Sequence, residues 1–304
     1  MASQSASPAG HHNIIVQASG DGIHVQVGLP YLELIPAARR IRSKPRLEIE
    51  ILDPVFQAVP LVGRQSDLAF LLAWLEADPK IAITALTGAG GSGKTRLSLE
   101  LLQNLPGHWQ GGFLTAQEAK RFLEAKNLAS WSWQKSTLIV ADYAALFAET
   151  LADWFRELAD HTLPEHPLRI LLLERHAEKD EGWYASLADG SFRGRRVQEL
   201  FSPLEPIRIA PIAALDQRRS VLSAGLAAAA KLKPNGPTPT VTVPVAGTDP
   251  SFDQRLADDQ WRDPPPPAHG RRHRRFKRNP CGAEAIAPRS GEGIGQARAS
   301  TPKK

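Results

Sequence analysis

The segment Gly88-Ala89-Gly90-Gly91-Ser92-Gly93-Lys94-Thr95 limits what this chain can fold into more than any other feature. It carries G-x-x-x-x-G-K-[ST] at Gly88, Gly93, Lys94 and Thr95. Glycines lack the Cβ atoms that would stop successive backbone N–H groups from curling around phosphate oxygens, and a helix starting here adds positive potential from its N-terminus. Lys94 is then placed to reach β- and γ-phosphates and Thr95 to ligate Mg²⁺ through its hydroxyl, and Arg96 is counted with the loop among the nucleotide-binding residues. Four fixed positions recur by accident in roughly one chain of this size in a hundred, so the flanking sequence has to decide.

The flanks agree with the motif. Residues 81–86 (IAITAL) form a short apolar run that ends in glycine, the profile of a strand buried on both faces. Residues 95–105 read as a helix closed by Pro106-Gly107. Further strands are expected at 112–114, 137–141 (TLIVA), 168–173 (LRILLL) and 207–210, and helices at 67–76, 116–128, 149–161 and 213–232. In the helix at 67–76, Leu68, Leu71, Leu72 and Leu75 share one face. Strands separated by helices of this length require crossover connections. The expected fold class is therefore α/β: a P-loop NTPase core with a mostly parallel β-sheet flanked by helices, a small N-terminal β-hairpin and a disordered C-terminal tail. The hairpin is read at 14–29 from alternating residues around Ser19-Gly20-Asp21-Gly22. The expected division is 1–58 hairpin and linker, 59–212 core, 213–233 helical extension and 234–304 tail.

Charge supports that division. The 304 residues hold 37 Lys+Arg and 32 Asp+Glu, a net of +5. Residues 262–304 hold 11 basic and 3 acidic residues, a net of +8, which leaves 26 basic against 29 acidic, a net of −3, for residues 1–261. From Pro234 onward lie 12 of the 25 prolines, with almost no apolar periodicity, a composition that buries too little surface to offset chain entropy. The run RRHRRFKR at 271–278 is read as a solvated charge block, so nucleic-acid binding is not supported beyond the basic tail. One cysteine, Cys281, excludes internal disulfides and Cys-based metal clusters. Without a leader-like start or an apolar stretch of ~20 residues, a cytoplasmic protein without a membrane span is expected. His11, His12 and His24 lack carboxylate partners and read as surface residues.

A phosphate loop needs a carboxylate for its metal, at the end of a neighbouring buried strand. Asp142, ending TLIVAD, meets that description, the other reading being a cap for the next segment. No Glu follows it to activate water; Glu149 and Asp153 are substitutes that also read as helix-surface acids. Arg175, ending LRILLLER, either approaches the γ-phosphate or pairs with Glu174 or Glu178. Trp131, Trp133 and Trp183-Tyr184 read as packing residues.

Leu61-Val62-Gly63-Arg64 with Asp67 and Trp74-Leu75, then LTGAGGSGKTRL, LIVADYA, LRILLLER and Gly182-Trp183-Tyr184, together resemble the nucleotide-binding module of bacterial STAND-type NTPases, signal-transduction ATPases related to the AAA+ class. The resemblance covers about residues 14–230. It implies that Gly63 and Arg64 lie in a linker touching adenine and ribose. It also implies that Lys94 and Thr95 are the Walker A residues, Asp142 the Walker B acid and Arg175 the sensor arginine. ATP and Mg²⁺ are the ligands so implied, with slow hydrolysis and an ATP-favoured active form that assembles as a homo-oligomer or with a protein partner. This chain departs from the pattern at Ala144 and Ala145, where such proteins often carry an acid, and no helical repeats follow the module. The run Pro264 to Pro267 and the Arg-rich string after it are unlike the helix expected there, so a shift of reading frame or a truncation near Asp263 is expected. A small-molecule kinase and a non-hydrolysing scaffold are the alternatives, although no Arg-rich lid is seen between Asp142 and Arg208.

Overall fold

The computed structural model describes residues 32–124, 133–159, 165–189, 191–192, 195–232 and 243–258, all within residues 1–263, the larger of two units. The hairpin expected at 14–29, the three histidines, Trp131, Cys281 and the tail beyond 258 lie outside the described residues. The chain enters through a one-turn helix α1 (Ala37–Arg40) and two 3-10 turns, Glu48–Leu52 and Pro54–Phe56. Then follow α2 (Gln65–Leu75), β1 (Ile81–Thr87), α3 (Lys94–Gln103), β2 (Trp109–Leu114), α4 (Ala116–Glu124), β3 (Ser136–Asp142) and α5 (Ala148–Ala159). After these come β4 (Leu168–Glu174), α6 (Gly182–Ala188), β5 (Ser191–Phe192), β6 (Arg195–Arg196), β7 (Ile207–Arg208), α7 (Leu215–Leu232) and α8 (Pro250–Ala257).

The protein is thus α/β, built on a five-stranded, all-parallel sheet of order β2-β3-β4-β1-β7. The pleat sends alternate residues to opposite faces, and both faces are covered. Ile81, Ile83 and Ala85 of β1 join Ile139, Ile170 and Leu172 in a core closed by Phe122, Trp154 and Phe155 of α4 and α5. Ala82 and Leu86 join Leu138, Val140, Leu171 and Leu173 in a second core closed by Leu71, Trp74 and Leu75 of α2 and Leu97 and Leu101 of α3. Trp133 and Tyr184 pack inside, donating to the carbonyls of His166 and Leu204 at 2.7 and 3.1 Å.

Two differences from the sequence reading have clear causes. Strand β2 begins at Trp109, three residues before the expected start. Its Gly111 and Gly112 weaken the strand signal, yet a Cβ at Gly111 would lie 2.7 Å from the Leu138 carbonyl oxygen, so the glycine permits the close approach. The second concerns Asp142. Its strand is not the neighbour of β1: β4 lies between them, and Asp142 stands level with Leu173 on that strand. Strand adjacency is a property of the sheet order, which local periodicity does not encode.

Strand β4 also carries an arginine in its buried run. Arg169 is 1% exposed. Its guanidinium donates to the carbonyls of Trp74 (3.0 Å), Pro79 (2.9 Å), Lys80 (3.3 Å), Leu168 (3.2 Å) and Ala77. It satisfies one carbonyl of the last turn of α2, that of Trp74, and those of Ala77, Pro79 and Lys80 in the turn that follows.

Candidate functional site

At the C-terminal ends of β1, β3 and β4 lies a cavity of 430 Å³. Its polar end is the glycine loop. Gly91 and Gly93 adopt φ of 74° and 94°, in the left-handed region that favours glycine, and a Cβ on either would meet nothing within 4 Å. The left-handed backbone, not crowding, is what calls for glycine at these two positions, and α3 begins at Lys94 with Gly93 as its N-cap. Ser92 N–H donates to the Ala89 carbonyl at 3.1 Å, which tightens the turn.

Lys94 folds back over this loop, its Nζ donating to the carbonyls of Gly88 (2.7 Å) and Ala89 (3.1 Å) and to Ser92 Oγ (3.5 Å). Burial pulls its pKa down, against the charges of Asp142 and Glu174. The Thr95 hydroxyl donates to Asp142 Oδ2 at 3.2 Å, so the two groups expected to share a metal do meet. Burial raises the pKa of Asp142, opposed by the Thr95 hydrogen bond, Arg40, the Tyr143 backbone N–H and Lys94. Both shifts mark charges short of solvation, and a divalent cation beside Asp142 and phosphate oxygens beside Lys94 would supply what burial removed.

Asp142 does not cap the next segment. The 3-10 turn Ala144–Phe147 has Tyr143 as its N-cap and no side-chain cap bond. Tyr143 itself holds φ of 56°, an uncommon value for a non-glycine residue, and lines the cavity beside Asp142.

Arg175 is exposed at the end of β4, with its guanidinium above the loop, 3.4 Å from where a Gly90 Cβ would stand. Its carbonyl accepts from Gly88 N–H at 3.3 Å, which ties the start of the loop to β4. Neither acid weighed as its partner pairs with its side chain: Glu178 is bound to Arg208 at 2.6 Å, and Glu174 accepts the Arg175 backbone N–H at 2.8 Å. Glu174 also lines the cavity, whereas Glu149 and Asp153 do not.

Arg64 lines the cavity as a brace. It is 5% exposed, with Nη2 donating to the Ser92 carbonyl at 2.9 Å and Nη1 paired to Asp67 at 3.3 Å. Gly63 is not on the wall; with φ of 66° it packs against α7, where a Cβ would fall 2.4 Å from Gln217 Oε1. Arg96 lines the cavity while paired to Glu100 at 2.6 Å. Most of the apolar end was not legible in the sequence. It is built by Leu52, Val59, Leu61 and Val62 from the segment before α2, and by Ile212 and Val221 from beyond the sheet. Leu61 and Val62 belong to the segment expected as the linker, whereas Leu52, Val59, Ile212 and Val221 belong to no motif and converge only in three dimensions.

Among the described residues no cluster of three or more metal-ligating side chains occurs, and no helix is long and apolar enough to cross a membrane.

No protein-family model matches the chain, and no curated protein matches it. Among solved structures it is similar to the Aeropyrum pernix ORC1 protein in complex with DNA, with a TM-score of 0.38 and 15% identity over 58% of this chain and 52% of that one. It is also similar to Drosophila ORC bound to DNA, with a TM-score of 0.36 and 15% identity over 60% of this chain and 51% of that one. The chain spans about half the length of these two proteins. The P-loop NTPase fold follows from its own strand order and loop.

Proposed function

We propose that this chain is an ATP-binding switch of the STAND kind, which takes ATP with Mg²⁺, hydrolyses it slowly and changes its assembly with the nucleotide bound. One observation carries the reading. Lys94, the left-handed glycines and the Thr95–Asp142 pair at 3.2 Å close one end of a cavity whose other end is apolar. Phosphates fit the first end and a base the second.

In this reading Lys94 exchanges its carbonyl partners for phosphate oxygens, and the loop N–H groups and the α3 N-terminus hold the rest. Thr95 and Asp142 hold the metal site, and Mg²⁺ when bound neutralises charge on the phosphates. Arg175, unpaired by Glu174 and Glu178, reports the terminal phosphate. With Ala144 and Ala145 after Tyr143, Glu174, on the strand next to Asp142, is the wall carboxylate placed to take a water proton; Asp53, the other acid on the wall, lies in the segment before α2 and accepts the Val55 N–H at 3.0 Å. The linker at Gly63 and helix α7 close the apolar end, so occupancy is felt in the segments that flank the core. No DNA role is carried over from the two similar proteins.

The test is binding of a fluorescent ATP analogue with and without Mg²⁺. Lys94→Ala is expected to abolish binding while leaving the thermal melt in place, because Lys94 touches loop carbonyls and not the core. Unchanged binding would refute the site. Size-exclusion of the full chain with and without ATP and Mg²⁺ checks the switch, and transfer of the terminal phosphate to an added acceptor, with no free phosphate released in its absence, would turn the reading to a kinase.

A further inference from the structure

The segment before the core is fastened to the sheet edge and ends at the metal carboxylate. Ile35 and Phe113 exchange backbone hydrogen bonds of 2.9 and 2.8 Å, an antiparallel bridge on the otherwise parallel edge strand β2. A Cβ at Gly112 would lie 2.7 Å from the Ile35 carbonyl oxygen, so a glycine is required for the segment to cross here. Glu33 N–H donates to Glu118 Oε1 at 2.7 Å. The chain then turns through α1 and delivers Arg40, whose guanidinium stacks 4.0 Å over the Phe113 ring. Arg40 Nη1 comes to 3.8 Å from Asp142 Oδ2, the oxygen that accepts from Thr95. That nitrogen is buried and has no hydrogen-bond acceptor among the described residues. Stacking and charge, not a hydrogen bond, hold it at the carboxylate. Arg40 is not on the wall of the nucleotide cavity and approaches Asp142 from the β2 side.

We propose that Arg40 is the resident counter-ion of the metal-binding carboxylate, and that its segment, residues 32–42, is docked more firmly when Mg²⁺ is not at Asp142. This rests on the nucleotide-binding reading above. A divalent cation at Asp142 and a guanidinium at the same oxygen repel one another inside a partly desolvated site. The ion therefore loosens Arg40, and Arg40 weakens the ion by the same factor, since coupling of two binding events is reciprocal. The N-terminal segment becomes a mechanical readout of metal loading, through a residue that does not touch the nucleotide.

The experiment uses the full chain and two measurements. In the first, Mg²⁺ is titrated against binding of the fluorescent ATP analogue. Arg40→Gln is expected to reach half-maximal binding at about tenfold lower Mg²⁺, and Arg40→Lys, which keeps the charge, to behave like the unchanged protein. A higher or unaltered Mg²⁺ requirement in Arg40→Gln overturns the proposal. The second starts from the unchanged protein. Hydrogen exchange at the Ile35 and Phe113 amides should be faster with analogue plus Mg²⁺ than with analogue plus EDTA, and the difference should vanish in Arg40→Gln. Equal protection in both states overturns it. Failure of the unchanged protein to bind nucleotide at any Mg²⁺ concentration removes the nucleotide reading and the proposal with it, whereas normal binding with an unmoved Mg²⁺ midpoint removes the proposal alone.

Discussion

Replacing Arg169 with Met tests whether a buried guanidinium in this sheet stabilises the fold or merely survives in it. The methionine keeps much of the aliphatic volume and removes every donor. Five backbone carbonyls, those of Trp74, Ala77, Pro79, Lys80 and Leu168, then lose a charged partner. At about 1.5 kcal/mol for each bond to a charged group, the gross loss is about 7.5 kcal/mol. Against this stands the solvation that burial denies the guanidinium. Burial pushes its pKa down to about 10, which corresponds to about 3 kcal/mol of charge destabilisation recovered when the charge is removed. The net expectation is a loss of about 4 kcal/mol, equivalent to a drop in Tm of roughly 10 °C for a domain of this size. Chemical denaturation with an unchanged slope measures it. Buried ion pairs are often replaced by apolar residues at no cost, because both partners leave together. Here the acceptors are main-chain carbonyls and remain behind. A loss below about 1 kcal/mol, or a gain, would refute the reasoning and place Arg169 with those dispensable pairs. Nucleotide affinity of the folded fraction should be unchanged, since none of the five carbonyls lies on the cavity wall.

Asp142→Asn should weaken the Mg²⁺ dependence of nucleotide binding, a change read from the metal titration midpoint, while stabilising the nucleotide-free protein. The sign follows from the raised pKa of the folded carboxyl: its contribution is fully present below the unfolded value of 3.8 and is lost as pH rises through the folded value. The Tm difference in favour of Asn should therefore open as pH rises from about 4, and a difference independent of pH would count against burial as the cause. Glu174→Gln is expected to slow single-turnover phosphate release by about a hundredfold or more with analogue binding intact. Equal rates would take the water-activating role from Glu174.

How much of this could be read without coordinates depends on the range of the interaction. The loop was legible because its requirement is local: Gly91 and Gly93 need left-handed φ, and Lys94 acts within a few residues of the carbonyls it touches. The strands β1, β3 and β4 were legible because burial on both faces demands unbroken apolar runs. Strand β2 was legible only in part, since the glycines that let its neighbours approach also weaken its pattern. Asp142 was legible as an acid that ends a buried strand, but the insertion of β4 between its strand and β1 was not.

Tertiary structure alone decided the rest. Arg169 sits in LRILLL like an interruption of a strand, and only the position of the turn after α2 shows that its donors all have acceptors. The apolar end of the cavity gathers Leu52, Val59, Ile212 and Val221 from segments on either side of the core. Arg40 carries no motif at all; its meeting with Asp142 depends on a missing Cβ at Gly112 and on the ring of Phe113. Backbone conformation and strand burial are set by neighbours in sequence, so the sequence by itself determined the glycine loop and the buried strands, though not their order. Which charges face the loop is set by packing across the sheet edge, where no short pattern reaches.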